Sequence, residues 1–475
     1  MSVLPPQAPI DLSSPGKYHV VGVGGPGMSA IAIVLAEMGH DVTGSDIRER
    51  SVLDRLRAAG VRVKVGHDRA HVRDRDAITY STAIPARNVE LDEARKCGVR
   101  ALHRSGMLAA ICAEAKALGV AGTHGKTSTT SMLMLILSQA GLRPSFVIGG
   151  DVTDMGTGAQ WTGSEWLVVE ADESDGTHLE LPLHGTILTN VEVDHLDHYG
   201  SYEAIVEGFD AYLAQIPGPK VLCLDDPKCA ELARKHTVIT YGTSPAADFV
   251  AANIAPTGGA FTFDVLHHGE RLGSVSLPLR GVHNVRNATG AIAMAVSIGV
   301  AFDVAAAALS KFGGVARRFD VRGVDGGATM VDDYAHLPNE IAAVVAAAKG
   351  SGDGWKRVVA VFQPNRFNRM AVMSPEYRDA FVEADLVVLT DIFASGTIPI
   401  PGVTGKLVVN AVLDAHPETP LAWLPRRADL VDFLAKRLVD GDVCISMGCG
   451  DIASLPDEVQ ARRAALRVEQ RQRAT

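Results

Sequence analysis

Short apolar runs alternate with segments of helical period along almost the whole chain. Glycine or polar turn residues bound each run, and the segment that follows places apolar residues three and four positions apart. Strands that alternate with such helices favour parallel sheets with crossover helices. The pattern therefore predicts an α/β protein, and 475 residues are more than one core usually holds.

Three units of this kind follow one another. The first begins at Lys17, and its helix is predicted to end at Gly39. Apolar positions Met28, Ile31, Val34, Leu35 and Met38 fall on one face of that helix. The third unit begins near Asp332, with strands predicted at Val358–Phe362, Leu386–Leu389 and Val443–Met447. We predict a Rossmann-like domain over residues 1–107, a P-loop domain over 108–319 and a second Rossmann-like domain over 320–475.

The second unit opens with the most specific motif in the chain. It follows the apolar run Ala117–Ala121 and leads into a helical segment that ends near Gly141. Glycines and a helix N-terminus direct N–H groups at phosphate oxygens, a lysine reaches the terminal phosphates, and a hydroxyl can bind Mg²⁺. The motif residues are Gly122, Thr123, His124, Gly125, Lys126, Thr127 and Ser128. The alternative is an ordinary strand-to-helix turn.

Composition limits the classes of function. The net charge of −10 argues against a nucleic-acid-binding surface, because phosphate contacts need clustered cations. Six cysteines without a C-x-x-C pair are typical of free thiols in a reducing cytoplasm. No signal peptide is visible, and the apolar stretch Ala288–Phe302 is too short to span a membrane. We therefore expect a cytoplasmic protein without membrane insertion, as a monomer or homodimer.

A second glycine loop, Gly22-Val23-Gly24-Gly25-Pro26-Gly27, lies near the beginning of the chain, and the following strand ends at Asp46. Taken alone, this arrangement indicates a dinucleotide such as NAD, although a lone glycine loop is a weak signal.

Carboxylates follow two predicted strands of the second unit. Glu170–Asp175 comes directly after Leu167–Val169, at a position where Mg²⁺ is normally held beside a phosphate loop. A solvated acidic turn is the alternative. After the next strand, Glu192, Asp194 and His195 suggest a second cation site, against the alternative that Asp197 or Ser201 caps a helix.

Further polar groups occur in the second half. His283, Asn284 and Asn287 open an alanine-rich helix, where the asparagines either contact an adenine or cap the helix. Arg366 and Arg369 follow the predicted strand Val358–Phe362 and could bind a carboxylate with two hydrogen bonds each. The two side chains lie on one face if this segment is a helix.

Together these stretches resemble the Mur ligases, over nearly the whole chain and in the same order. Any single motif would be weak, but the ordered set is specific. The matching stretches are His19–Ser29, Gly122–Thr127, Glu170–Asp175, Thr189-Asn190, Asp194-His195, His283-Asn284, Arg317–Phe319, Asp332–His336, Phe362–Pro364 and Met447–Asp451. In such ligases the first domain holds a UDP-sugar, so the resemblance replaces the NAD interpretation.

The resemblance implies an ATP-dependent ligase of peptidoglycan synthesis that joins L-alanine to the lactyl carboxylate of UDP-N-acetylmuramate. An acyl phosphate forms first and the amine then attacks it, with two Mg²⁺ ions expected. The implied catalytic residues are Lys126, Glu173, His195 and His336, and the implied metal ligands are Thr127, Glu173 and His195.

The resemblance also assigns binding residues. ATP is assigned Gly122, Thr123, His124, Gly125, Lys126, Thr127, Ser128, His283, Asn284, Asn287, Arg318 and Asp332. The UDP-sugar is assigned Gly24, Gly25, Gly27, Met28, Ser29, Asp46, His67 and Asn190. The amino acid is assigned Tyr334, His336, Arg366 and Arg369.

The chain departs from the usual family pattern at Leu337, Asn365, Thr397 and Cys449. Leu337 and Asn365 fall near the expected amino-acid site, so a paralogous ligase that joins another amino acid or a recycled peptide is the main alternative. An NAD-dependent dehydrogenase and a non-catalytic nucleotide-binding regulator fit less well. The dehydrogenase leaves Lys126, Glu173 and His195 unexplained. A degenerate enzyme that serves as a regulator would usually have lost one of these residues or Thr127.

Overall fold

A computed structural model describes residues 10–152 and 155–474, with the side chains of residues 197, 473 and 474 left out. The chain divides into two compact units. One comprises Met1–Asn253, Phe263–Leu277 and Val285–Gly313, and the other comprises Ile254–Thr262, Pro278–Asn284 and Gly314–Thr475. Within the described ranges, no helix is long and apolar enough to cross a membrane.

The first sheet has five parallel strands in the order β3-β2-β1-β4-β5. The order reverses at β1, and the carboxyl ends of strands at such a reversal form the usual ligand crevice. The strands are β1 (Lys17–Val21), β2 (Asp41–Asp46), β3 (Arg62–Val65), β4 (Ala77–Tyr80) and β5 (Arg100–His103). The helices are α1 (Pro26–Glu37), α2 (Ser51–Ala58), α3 (Val89–Cys97) and α4 (Arg104–Ala113).

Helix α1 ends as predicted but is buried more completely than its pattern indicates. Gly39 follows it with φ of +90°, a conformation that favours glycine. Residues 28–35 are all buried, rather than one face only. The reason is that α1 contacts strands of the second sheet as well as those of its own.

The second sheet has ten strands in the order β15-β14-β13-β12-β11-β10-β6-β9-β7-β8. Strand β6 pairs in parallel with both β9 and β10, so three strand ends meet beside the loop that follows β6. The strands are β6 (Lys116–Ala121), β7 (Ser145–Val152), β8 (Thr157–Gln160), β9 (Trp166–Glu170), β10 (Gly185–Leu188), β11 (Lys220–Cys223), β12 (Ile239–Gly242), β13 (Phe249–Pro256), β14 (Phe261–His267) and β15 (Glu270–Leu277). The helices are α5 (Lys126–Gln139), α6 (Leu196–Tyr199), α7 (Tyr202–Gln215), α8 (Pro227–Ala233), α9 (Val282–Ser297) and α10 (Phe302–Leu309).

The third sheet has six strands in the order β16-β17-β21-β18-β19-β20, parallel except for the pair β16 and β17. The strands are β16 (Asp320–Asp325), β17 (Ala328–Asp333), β18 (Arg357–Phe362), β19 (Leu386–Leu389), β20 (Leu421–Trp423) and β21 (Asp442–Met447). The helices are α11 (Pro338–Lys349), α12 (Phe367–Met373), α13 (Lys406–Ala415), α14 (Arg427–Arg437) and α15 (Leu455–Ala474). Strands β18, β19 and β21 coincide with the three predicted strands to within one residue. The predicted fold class, three α/β domains with mainly parallel sheets, is confirmed.

Candidate functional site

The phosphate loop connects β6 to α5, and two of its glycines are required by geometry. Gly122 has φ of +124° and Gly125 has φ of +80°. A Cβ on Gly122 would collide with the hydroxyl of Thr189, and one on Gly125 would lie 2.8 Å from Asn287 Oδ1. The loop is therefore fixed in a narrow space between the end of β10 and helix α9.

Lys126, the first residue of α5, is held inside this loop. Its Nζ donates to the carbonyl oxygens of Gly122 at 2.6 Å and Thr123 at 3.2 Å. It also donates to Glu173 Oε1 at 2.9 Å. The charges of Glu173 and its acidic neighbours raise the pKa of Lys126, although burial alone would lower it. Lys126 is therefore a charged side chain held by hydrogen bonds at the opening of an anion-binding loop.

Thr127 pairs with Glu170, which lies in the predicted carboxylate stretch but was not among the metal ligands that the resemblance implies. Its Oγ1 lies 3.1 Å from both carboxylate oxygens of Glu170, the last residue of β9. Glu170 Oε2 also accepts from the amide of Gly149 at 2.8 Å. The parallel pairing of β6 and β9 carries Glu170 to this position, and its place at the strand end was the signal available in the sequence.

Glu173 is the least satisfied carboxylate in this region. Burial raises its pKa to about 7, with Lys126 opposing the shift. Among the described residues, Glu173 Oε2 is buried without a hydrogen-bond partner. A buried carboxylate oxygen without a partner, three residues after Glu170 in the chain, fits a hard cation such as Mg²⁺, which prefers oxygen ligands.

The segment after β10 closes the other side of the loop. Thr189 Oγ1 donates to the carbonyl of His124 at 2.6 Å. Asn190, assigned to the UDP-sugar from the sequence, lies here: its amide group contacts both the N–H and the carbonyl oxygen of His124.

His195 lies further along the same segment. It adopts φ of +52° and its Nε2 lies 3.2 Å from Asp194 Oδ2. The hydroxyl of Tyr199 donates to the carbonyl oxygen of Glu173 at 2.8 Å. This hydrogen bond joins the segment to residues 171–175 after β9, here called the carboxylate loop. Ser201 caps α7, as the alternative interpretation expected, whereas the side chain of Asp197 lies outside the described residues.

The first glycine loop is organised around the ends of β1 and β2. The amide of Gly24 donates to Asp46 Oδ2 at 2.9 Å. Gly25 is the N-cap residue of α1, so Gly27, Met28 and Ser29 form its first turn. This arrangement directs N–H groups outwards, as anion-binding loops do.

His67 belongs to a buried network below this loop. Its Nδ1 lies 2.9 Å from Glu90 Oε2 and 3.0 Å from the hydroxyl of Ser45. Glu90 also contacts His71 Nδ1 at 2.7 Å. Glu90 could not be singled out from the sequence, because it lies about 20 residues along the chain from the histidines that surround it.

Asn284 lies in the first turn of helix α9. Its side-chain amide donates to the carbonyl oxygen of Arg280 at 2.8 Å, within the second compact unit. A capping side chain instead accepts from a backbone N–H, so this contact is not a cap and both interpretations of that residue stay predictions. In the first unit, buried Asn287 lies against Gly125 of the phosphate loop.

The second compact unit holds the aromatic and arginine residues predicted near its first strands. The guanidinium groups of Arg317 and Arg318 lie 4.9 Å and 5.3 Å from the centre of the Tyr334 ring. Arg317 Nε also donates to the fully buried Asp332 at 3.0 Å. His336 packs edge-on against Tyr334 with ring centres 5.6 Å apart. These residues form one cationic and aromatic cluster.

Arg366 and Arg369 flank the start of α12 in the same unit. Arg369 Nη1 donates to the side-chain oxygen of buried Asn365 at 3.3 Å. Cys449 lies close enough for both arginines to lower the pKa of its thiol, although burial has the larger, opposite effect. The other departures have local structural roles: Leu337 is the N-cap residue of α11, and Thr397 Oγ1 accepts from the amide of Phe367 at 3.0 Å.

The fold and the loop define a nucleotide-binding enzyme of three α/β domains. Three family models match it in order: "Mur ligase family, catalytic domain" over residues 17–116, "Mur ligase middle domain" over 120–295 and "Mur ligase, glutamate ligase domain" over 317–450. The chain belongs to the Mur ligase family.

Individual relatives agree with this assignment. A UDP-N-acetylmuramate–L-alanine ligase from Sorangium cellulosum is 41% identical over 454 residues, covering 94% of this chain and 96% of that protein. The crystal structure of the UDP-N-acetylmuramate-alanine ligase MurC from Thermotoga maritima superposes with a TM-score of 0.79 at 27% identity, covering 95% of this chain and 99% of the other. A murein peptide ligase from Psychrobacter arcticus gives 0.68 at 25% identity, covering 94% and 98%.

Proposed function

We propose that this protein catalyses the ATP-dependent joining of L-alanine to the lactyl carboxylate of UDP-N-acetylmuramate, a step of peptidoglycan synthesis. The observation that carries the proposal is the hydrogen-bonded set of Lys126 with Glu173 and Thr127 with Glu170 at the phosphate loop, in which Thr127 and Glu173 are buried. The likeness to alanine ligases over nearly the full length supports this substrate pair.

The proposed reaction needs these four residues because the negatively charged lactyl carboxylate must approach the negatively charged phosphates of ATP. Joining a carboxylate to an amine in water is unfavourable unless the carboxylate first becomes an acyl phosphate. Lys126 offsets the repulsion between the lactyl carboxylate and the γ-phosphate of ATP, and the N–H groups of the loop hold the phosphate oxygens. Nucleotide binding would exchange the contact between Lys126 and Glu173 for a contact between Lys126 and phosphate.

Glu173, Glu170 and Thr127 are the residues that would hold Mg²⁺. The bound ion would neutralise phosphate charge and orient the phosphate groups. Without the ion, Glu173 Oε2 is buried and has no partner among the described residues, which agrees with this role.

The amino acid is assigned to Tyr334, His336, Arg366 and Arg369. A guanidinium group binds a carboxylate through two parallel hydrogen bonds, so Arg366 or Arg369 would bind the carboxylate of alanine. His336 would orient the amine. Its backbone is fixed by Glu340, which accepts from the His336 amide at 2.9 Å, and by the hydroxyl of Tyr377, which donates to its carbonyl oxygen at 2.7 Å.

Phosphate release tests the proposal directly. The full chain is incubated with ATP, Mg²⁺ and UDP-N-acetylmuramate, and L-alanine, glycine, L-serine and a tripeptide are compared. We expect turnover that requires both UDP-N-acetylmuramate and L-alanine. Preference for the tripeptide would instead favour the murein peptide ligase activity that the Psychrobacter neighbour represents, and no amine-dependent turnover would contradict a ligase.

A further inference from the structure

Arg104 connects the two loops of the first compact unit that the proposed function assigns to different substrates. It is the first residue of α4, and His103 caps this helix by accepting from the amide of Ser105. The guanidinium group extends from there to the carboxylate loop after β9. Arg104 Nη2 donates to Asp172 at 2.6 Å and Nε donates to Asp175 at 2.7 Å.

The third nitrogen of this guanidinium group faces the first glycine loop. A Cβ on Gly27 would lie 3.5 Å from Arg104 Nη1. Among the described residues, no hydrogen bond is made by Nη1, whereas Nε and Nη2 each bind a carboxylate. The Arg104 side chain is only 23% exposed, so it is held in place rather than extended into solvent.

The carboxylate loop in turn reaches the phosphate loop. Asp172 directly precedes Glu173, which accepts from Lys126. Ser174 donates to Asp172 through both its amide and its hydroxyl, so the loop is internally ordered. The negative charge of Asp172 also contributes to the raised pKa of Lys126. Arg104 therefore links Gly27 of the glycine loop to Asp172, whose chain neighbour Glu173 binds Lys126 of the phosphate loop.

We propose that Arg104 donates through Nη1 to the diphosphate of the UDP-sugar in the glycine loop while it holds Asp172 and Asp175. Arg104 thereby couples binding of the UDP-sugar to the arrangement of the carboxylates that serve ATP. This inference rests on the proposed function, because it needs an anionic ligand at the glycine loop. A guanidinium group suits this task since its planar donors can serve two carboxylates and a phosphate at once.

Calorimetric titration of the full chain with UDP-N-acetylmuramate tests the coupling. Each titration is made with and without Mg²⁺ and a non-hydrolysable ATP analogue, which gives the factor by which one ligand changes the affinity for the other. For Arg104→Gln we expect the Kd for the UDP-sugar to rise about 10- to 100-fold, the loss of one charged hydrogen bond or more. We also expect the coupling factor to fall towards one.

Arg55→Gln is the matched control. Arg55 also forms a two-pronged ion pair across the same compact unit, with Asp151 at 2.6 Å and 2.9 Å, but neither residue belongs to the glycine loop or the carboxylate loop. Its Kd and coupling factor should stay within about twofold of the unmodified protein. Arg104→Lys retains the charge and the fold, and should lose the coupling because one ammonium group cannot replace the planar fork.

The outcomes separate the inference from the proposed function. If the unmodified protein binds UDP-N-acetylmuramate and a folded Arg104→Gln variant binds it equally well with unchanged coupling, the role of Arg104 is overturned alone. If Arg104→Gln fails to fold, unchanged affinity and coupling in Arg104→Lys overturn it. If the unmodified protein does not bind UDP-N-acetylmuramate, the proposed function fails first.

Discussion

Two buried glutamates of the first compact unit have opposite surroundings. Glu90, below the glycine loop, contacts Ser45, His67, His71 and the amide of Asp68. Burial alone would raise its pKa, but its partners, with His19 foremost, lower it to about 2. Glu173, beside the phosphate loop, contacts Lys126 and retains an oxygen without a partner among the described residues.

We interpret the difference as that between a structural carboxylate, Glu90, and a carboxylate with a proposed function, Glu173. Glu90 is supplied with donors on both oxygens, so its charge is fully compensated within the fold. Burial raises the pKa of Glu173 to about 7 because its one cationic partner does not compensate for the desolvation and for the charge of Asp172. Strongly perturbed carboxyl groups of this kind are concentrated at functional sites. The comparison predicts that substitutions at the two sites affect different properties.

Removal of Lys126 should have the largest effect on activity. Lys126→Ala leaves Glu173 without its cation and the γ-phosphate without compensation, so we expect turnover to fall about 1000-fold or more. Phosphate release at saturating substrates measures this loss. Lys116→Ala is the control, since Lys116 pairs with Glu165 at the exposed start of β6. Turnover of Lys126→Ala within about tenfold of normal would remove the lysine from the mechanism.

The free energy of unfolding should fall more for a substitution of Glu90 than for one of Glu173. Glu90→Gln removes a charge that several buried donors require, so we expect the free energy of unfolding at pH 7 to fall by about 3 kcal/mol. Glu173→Gln resembles the protonated carboxyl that already predominates below pH 7, so its cost should be about 1 kcal/mol or less. Urea denaturation followed by circular dichroism measures both variants. Equal losses at the two sites would contradict the distinction.

The same two variants should differ in their dependence on pH. The pKa of Glu173 in the folded protein, about 7, lies above its usual value of 4.5, so its stabilising contribution is present below pH 4.5 and is lost as pH rises through 7. The pKa of Glu90, about 2, lies below 4.5, so its contribution is present above pH 4.5 and is lost as pH falls towards 2. The stability difference between the unmodified protein and each variant is measured as the free energy of unfolding at a series of pH values. This difference should fall with rising pH for Glu173→Gln and rise with rising pH for Glu90→Gln. Parallel slopes would show that the two environments are alike.

A smaller effect is expected at His178, a third buried group in the same unit. Its ring lies 5.3 Å from that of Phe209 and 5.2 Å from that of Tyr212, and neither ring nitrogen has a hydrogen-bond partner among the described residues. His178→Phe should therefore raise the free energy of unfolding at pH 7.5 by about 1 kcal/mol.

The gain in the free energy of unfolding of His178→Phe should be larger at acidic pH. Burial lowers the pKa of His178 from 6.5 to about 4, so the unfolded chain takes up the proton first and the unmodified protein loses stability as pH falls between those values. Urea denaturation at pH 7.5 and pH 5 measures both effects. A His178→Phe variant that is less stable at both pH values would show that the imidazole has a partner in solution.

The sequence predicted the features that depend on local pattern. The glycines and Lys126 lie next to one another in the chain, so their place between a strand and a helix could be predicted. Strands β18, β19 and β21 are continuous apolar runs and were predicted to within one residue. Roles for the individual residues of the site, and the domain boundaries near 107 and 320, stay predictions. The family resemblance, rather than periodicity, supplied the substrates.

The stretch Glu170–Asp175 was expected beside the phosphate loop, but individual partners that depend on long-range pairing were missed. Glu170 reaches Thr127 because β6 and β9 are neighbours, and Arg104 meets Asp172 and Asp175 although about 70 residues separate them along the chain. The surroundings of Glu90 combine β2, the segment after β3 and α3. Charged residues at such distances have many possible partners, and only the fold selects one.

The most direct test of the proposed ligase chemistry follows an oxygen atom. UDP-N-acetylmuramate labelled with ¹⁸O in the lactyl carboxylate is converted with ATP, Mg²⁺ and L-alanine, and the released phosphate is analysed by mass spectrometry. An acyl phosphate intermediate transfers one labelled oxygen to phosphate for each amide formed, and this is the result we predict. Unlabelled phosphate accompanying amide formation would contradict activation of the carboxylate at the phosphate loop.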